Sequence, residues 1–139
     1  MPVARASREL LAPAEDAWQF LAEPRHLADW WPGVGGVEPD GRGLAVGARW
    51  RVRRSGASFF RRAQAEDMLV VTAADEPRRF AFELVQARLH AELTLTPAGA
   101  DRTQAELAVD GPLLLAFSKS LPRTALARLH DLCQTAATL

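Results

Sequence analysis

The sequence predicts an α+β fold in which a curved antiparallel sheet of about seven strands, in the order β-α-α-β6-α, wraps around a long C-terminal helix kinked at Pro122. Three observations predict it. Leu114, Phe117, Leu121, Ala125, Leu129, Leu132 and Ala136 recur at three- and four-residue steps, while Lys119, Arg123, His130, Asp131 and Gln134 fall largely on the other side, so the C-terminal stretch reads as an amphipathic helix with one face to cover. Ahead of it, segment after segment alternates apolar and polar residues, the pattern of half-buried antiparallel strands. Between the first strand and the others, Pro13, Pro24 and Pro32 punctuate two short helices.

Taken in order, Val3 to Leu11 is a strand stopped by Ala12-Pro13. Pro13 opens a helix with Ala14, Ala17, Trp18 and Leu21 on one face and Glu15 and Asp16 in the first turn, where negative charge suits the helix dipole. Pro24 ends it and starts a second short helix to Trp30, closed by Pro32-Gly33. Val34 to Asp40 is a short Gly-rich strand. In Ala48 to Arg54, Trp50 and Val52 face one way and Arg49, Arg51 and Arg53 the other. The run from about Phe59 to Ala73 carries Met68-Leu69-Val70-Val71 and turns at Asp75-Glu76-Pro77. Phe80, Phe82 and Leu84 then point inward against Ala81 and Glu83. After a turn near Gln86, Leu89, Ala91, Leu93 and Leu95 alternate with His90, Glu92, Thr94 and Thr96, and a final strand carries Thr103, Ala105, Leu107 and Val109. In the last helix Pro112 suits the first turn, whereas Pro122 falls inside the pattern and predicts the kink.

With 139 residues, the chain is one domain, 1–139. Basic and acidic residues number 17 each, which argues against general nucleic-acid binding and against an anionic membrane surface. Ile, Asn and Tyr are absent and Lys119 is the only lysine, so the abundance of Ala and Arg reads as codon bias rather than function. Cys133, the single cysteine, reads as a small buried hydrophobe. Neither a signal peptide nor a membrane span is visible, and the expectation is a cytoplasmic protein.

Three stretches carry a family resemblance: Ala12-Pro13-Ala14-Glu15-Asp16-Ala17-Trp18, Pro24-Arg25-His26-Leu27-Ala28-Asp29-Trp30-Trp31-Pro32-Gly33, and Asp75-Glu76-Pro77-Arg78-Arg79-Phe80. They resemble the punctuation of the SRPBCC superfamily (START-like, helix-grip fold), its polyketide cyclase/dehydrase-like branch especially. The resemblance spans nearly the whole chain. It implies a single START-like ligand-binding domain with a deep apolar cavity between sheet and C-terminal helix. It leaves the chemistry open, because such folds serve carriers and enzymes alike.

The expected ligand-binding residues are Trp31, Trp50, Arg54, Phe80, Phe82, Leu93, Leu107, Phe117 and Leu121. Of the adjacent Trp30 and Trp31, a short helix is expected to turn one into the core and leave the other, Trp31, as a flat wall at the cavity mouth. Arg54 continues the inward parity of Trp50 to the end of its strand, either as a solvated terminus or as a guanidinium meeting a ligand carbonyl or carboxylate. No catalytic residue, metal site or cofactor is expected. His26 and His130 fall on polar helix faces, His90 pairs with Glu83 across a tight turn, and zinc-ligand spacings, a nucleophile elbow and a phosphate loop are all missing. Arg49, Arg51, Arg53, Arg61 and Arg62 read as a solvated outer face countered by Glu66, Glu83, Glu92 and Glu106. The functional reading is binding of a small hydrophobic molecule, aromatic or lipid-like, by a monomer or homodimer. A cyclase- or dehydratase-like enzyme and a ribosome- or RNA-binding module on the Arg face are the alternatives, so whether the chain is an enzyme is left open.

Overall fold

Each alternating segment of the sequence is a strand. The computed structural model describes residues 3–54, 66–112 and 120–137. Within them lie β1 (Val3–Leu10), α1 (Ala14–Ala22), a 3-10 turn (Pro24–His26), α2 (Leu27–Trp30), β2 (Val34–Pro39), β3 (Arg49–Arg54), β4 (Glu66–Asp75), β5 (Arg79–Leu84), β6 (Leu89–Pro97), β7 (Thr103–Asp110) and α3 (Leu121–Ala137). The strands form one antiparallel open sheet in the order β1-β7-β6-β5-β4-β3-β2. This is the expected α+β arrangement, with consecutive strands from β2 to β7 running as a meander and β1 closing onto β7.

Register follows from the period-two pattern, since a one-residue slip would turn every apolar side chain to water. Trp50 stands opposite Leu69, Val71 opposite Phe82, Phe80 opposite Leu93, and Leu93 opposite Leu107. These residues are all buried on the inner face. One departure concerns Ala81, expected on the outer side and found buried. The β4–β5 register shifts between Val71 and Ala73, which sets Ala81 opposite Ala73, itself buried.

The helical pieces are placed by their ends. The Pro13 carbonyl accepts from the N–H groups of Asp16 and Ala17, both at 3.1 Å, so α1 starts directly after the proline. The Glu23 carboxylate accepts from Arg25 N–H at 3.3 Å and caps the 3-10 turn. Gly33, with φ +85°, supplies the left-handed residue that sends the chain from α2 into β2. At the start of β7, the buried Thr103 hydroxyl donates to the Ala12 carbonyl at 2.8 Å and fastens the β1–α1 junction.

In α3, Leu121, Ala125, Leu126, Leu129 and Cys133 are buried, the stripe anticipated from the spacing. Its nearest backbone approaches are to β1, β7, α1 and α2. Pro122 stands in the first turn of α3 rather than in its interior, and there a missing N–H leaves no intrahelical bond unmade. The segment 113–119, on which a bend at Pro122 would act, lies outside the described residues, as do Phe59, Arg61, Arg62, Leu114, Phe117 and Lys119.

Candidate functional site

Alternation on β3 and β5 and the short α2 bring four aromatic rings together on the inner face. Trp31 meets Phe82 edge-on with ring centroids 5.1 Å apart, Phe82 meets Phe80 at 5.2 Å, and Phe80 meets Trp50 at 6.1 Å. Trp30 adds an edge-to-face contact with Trp31 at 5.5 Å. The expectation that only one of the paired tryptophans is buried does not hold: Trp30 is 1% and Trp31 2% exposed. The reason lies at the end of α2, where Trp31 leaves helical geometry (φ −88°, ψ 119°) and points its ring along a direction that a continued helix would have denied it. The indole N–H of Trp50 donates to the Gly43 carbonyl at 3.1 Å, so this ring enters the core with its polar atom satisfied.

Leu93, Leu107 and Leu121 belong to the same buried cluster as these rings. The expected residues Trp31, Trp50, Phe80, Phe82, Leu93, Leu107 and Leu121 are thus brought together, with Phe117 outside the described residues.

Arg54 is neither a free strand end nor an unpaired guanidinium. Its Nη2 donates to Asp67 Oδ2 at 2.9 Å, and its side chain is 30% exposed against 1% for Asp67. The role of Asp67 was not legible in the sequence. Both of its oxygens are saturated: Oδ1 accepts from the N–H groups of Met68 and Gln86, each at 2.7 Å, and Oδ2 accepts from Ala87 N–H at 3.1 Å as well as from Arg54. The carboxylate therefore ties the end of β3 to the β5–β6 turn, in which Arg88 takes φ +56°. The available signal was parity: on β4, Asp67 shares the side of Leu69 and Val71, and an acid on an apolar face demands a partner.

Outside the core the charges pair as expected of a solvated sheet face. Arg79 Nη2 lies 3.0 Å from Glu92, Arg51 3.5 Å from Glu38, Arg5 3.5 Å from Glu106, and His90 Nδ1 4.0 Å from Glu83. Hydrogen bonding to Arg79 holds the Glu92 carboxyl below the usual range. A separate cleft of about 610 Å3 opens where β1, α1 and α3 meet, with Cys133 in its wall. Burial, and secondarily the charge of Asp16, push the Cys133 thiol up to about 11, so it stays protonated and unreactive. Among the described residues no three His, Cys, Asp or Glu side chains gather as a metal cluster, and no helix is long and apolar enough to cross a membrane.

An inner face of aromatic and aliphatic side chains under a C-terminal helix is the geometry implied by the motifs around Pro13, Trp31 and Pro77. The sequence profile of one family, described as polyketide cyclase / dehydrase and lipid transport, matches residues 1–134. The chain belongs to that family. Solved structures carry the same fold. XoxI from Bacillus cereus superposes with a TM-score of 0.71 at 11% identity, covering 99% of both chains. A norcoclaurine synthase variant from Thalictrum flavum, in complex with a transition-state analogue, gives 0.66 at 18% identity, covering 98% of this chain and 96% of that one. DynU16, from the dynemicin biosynthetic locus, gives 0.66 at 18% identity, covering 96% of this chain and 48% of that one. No curated protein is similar in sequence. At such identities the structural likeness speaks for the fold, and membership of the polyketide cyclase/dehydrase and lipid transport family rests on the sequence profile.

Proposed function

We propose that this protein binds a small hydrophobic molecule, aromatic or lipid-like, between the inner face of the sheet and α3. The observation that carries the reading is the uneven distribution of the core. Three of the four connected rings sit on β3 and β5 and the fourth, Trp31, directly after α2, whereas among the strands the described part of α3 comes closest to β1 and β7 at the other side of the sheet. Among the described residues, β3 and β5 thus lie away from the strands that the helix approaches most closely, and flat rings are suited to receive an apolar guest. Family membership supports it, since lipid transport stands in the family's description. Every 100 Å2 of apolar ligand surface buried there contributes about 2.5 kcal/mol. Trp31, Trp50, Phe80, Phe82, Leu93, Leu107 and Leu121 form the wall, with Arg54 at its end and Phe117 as a further candidate.

Native mass spectrometry of freshly purified protein tests this directly, followed by titration of the tryptophan fluorescence with hydrophobic ligands. Retention of a small apolar molecule, or a saturable change in emission, is the expected result. Bare protein together with an unresponsive spectrum across a broad panel would sink the reading.

The second reading is a cyclase- or dehydratase-like enzyme in which Arg54 polarises a ketone. It draws on the same family description and on the guanidinium of Arg54, which pairs with the buried Asp67. Binding is preferred because the buried carboxylate, Asp67, already accepts four hydrogen bonds, and a general acid or base needs a group at liberty to exchange its proton. Turnover of an offered polyketide analogue would reverse that order. The reading also places the protein in the cytoplasm as a monomer or homodimer, which sedimentation analysis and cell fractionation address.

A further inference from the structure

We infer that the ligand is electrically neutral, and that Asp67 is the residue that enforces this. The inference rests on the ligand-binding reading above and specifies the class of molecule that reading left open. Among the described residues only two polar side chains are buried, Asp67 and Thr103. The Thr103 hydroxyl is committed to the Ala12 carbonyl. Among the described residues, the one buried carboxylate is therefore held at 2.9 Å by the partly exposed guanidinium of Arg54, a pair whose charges sum to zero.

A ligand with a carboxylate or phosphate has two ways to enter, and both are disfavoured. It can lie among the rings with no counter-charge, at the full penalty of desolvating an ion. Alternatively it can share Arg54 with Asp67, which sets two anions on one guanidinium and leaves like charges side by side next to a carboxylate only 1% exposed. A cationic ligand fares no better, since the guanidinium faces it while the Asp67 oxygens are saturated by donors. A neutral acceptor meets neither obstacle. Arg54 has five N–H donors, and a ketone, ester or hydroxyl oxygen is satisfied by one of them while the bond to Asp67 stays intact. Asp67 acts here as a specificity-determining residue through Arg54 and need not touch the ligand.

The test uses three shape-matched pairs at neutral pH, measured by titration calorimetry: 2-acetylnaphthalene and 2-naphthoate, decan-1-ol and decanoate, 1-pyrenemethanol and 1-pyrenecarboxylate. The wild-type protein is expected to bind the neutral member of a pair at least about tenfold more tightly, and Asp67→Asn to erase or invert that ratio by releasing an uncompensated Arg54. Because the readout is a ratio within one protein, a general loss of stability in the variant leaves it intact. Arg54→Gln provides the opposite arm and widens the preference for the neutral member. Equal or tighter binding of the anions by the wild type overturns the inference while leaving the hydrophobic pocket standing. A wild-type preference that Asp67→Asn leaves unchanged removes Asp67 from the account. Failure of all six compounds to bind overturns the pocket reading and the inference together.

Discussion

Replacing Trp31 separates its two roles, as a packed core residue and as a ligand wall. The ring is 2% exposed and lies between Phe82, at 5.1 Å, and Trp30, at 5.5 Å, edge-on to both. Truncation to alanine removes the indole and leaves a cavity that a close-packed interior closes only in part, at a cost of about 3–5 kcal/mol, of which the two aromatic pairings account for roughly 1 kcal/mol each. Against a domain stability of about 5–15 kcal/mol, Trp31→Ala remains folded but marginal. In urea, with a slope of about 2 kcal/mol per molar, the midpoint falls by about 2 M at unchanged slope. Trp31→Phe retains a ring against Phe82 and loses roughly 1–2 kcal/mol, so it is the variant in which ligand affinity is measured. Its expected signature is a fold close to wild type with weakened binding and a reduced fluorescence response. A loss below about 1 kcal/mol for Trp31→Ala would refute the packing argument, and full ligand affinity in Trp31→Phe would take the residue out of the wall.

Other consequences are equally open to measurement. Thr103→Val keeps the shape of the side chain but leaves the Ala12 carbonyl without its donor, and denaturation is expected to show a loss of about 1–3 kcal/mol; a change within 0.5 kcal/mol would mean water replaces the bond. For Cys133, the folded thiol titrates near 11 rather than at its ordinary 9.0, so the neutral thiol's contribution is present below about pH 9 and lost as pH rises through about 11. Stability of the wild type should accordingly fall more steeply over that window than stability of Cys133→Ala, and parallel curves would contradict the burial argument. Pro122 is buried in the first turn of α3, where it interrupts no helical bond, so Pro122→Ala is expected to cost about 1–2 kcal/mol through lost packing of the ring; a gain in stability would show that the proline had been breaking a helical bond.

The elements of the fold and, Ala81 apart, the inward sides of β3, β5, β6 and β7 were determined by the sequence alone. Where period-two alternation runs unbroken, as from Leu89 to Leu95 or from Ala105 to Val109, one face must be buried, and the register follows because a slip would expose all of it. Punctuation by Pro13, Pro24 and Pro32 was equally legible, since a proline acts through its own ring and missing N–H whatever surrounds it. What only the tertiary structure decided are features that depend on meetings between distant segments. Trp31 is buried because the chain leaves helical geometry at that residue and Phe82 waits 5.1 Å away, and no local pattern carries that coincidence. The bulge that buries Ala81 arises from the pairing of β4 with β5, not from either strand. Arg54 and Asp67 are 13 residues apart, and Asp67 reaches a further 19 and 20 residues on to Gln86 and Ala87. A sequence shows that an acid falls on an apolar face and therefore needs partners; which donors converge on it is settled only when three strands are laid side by side.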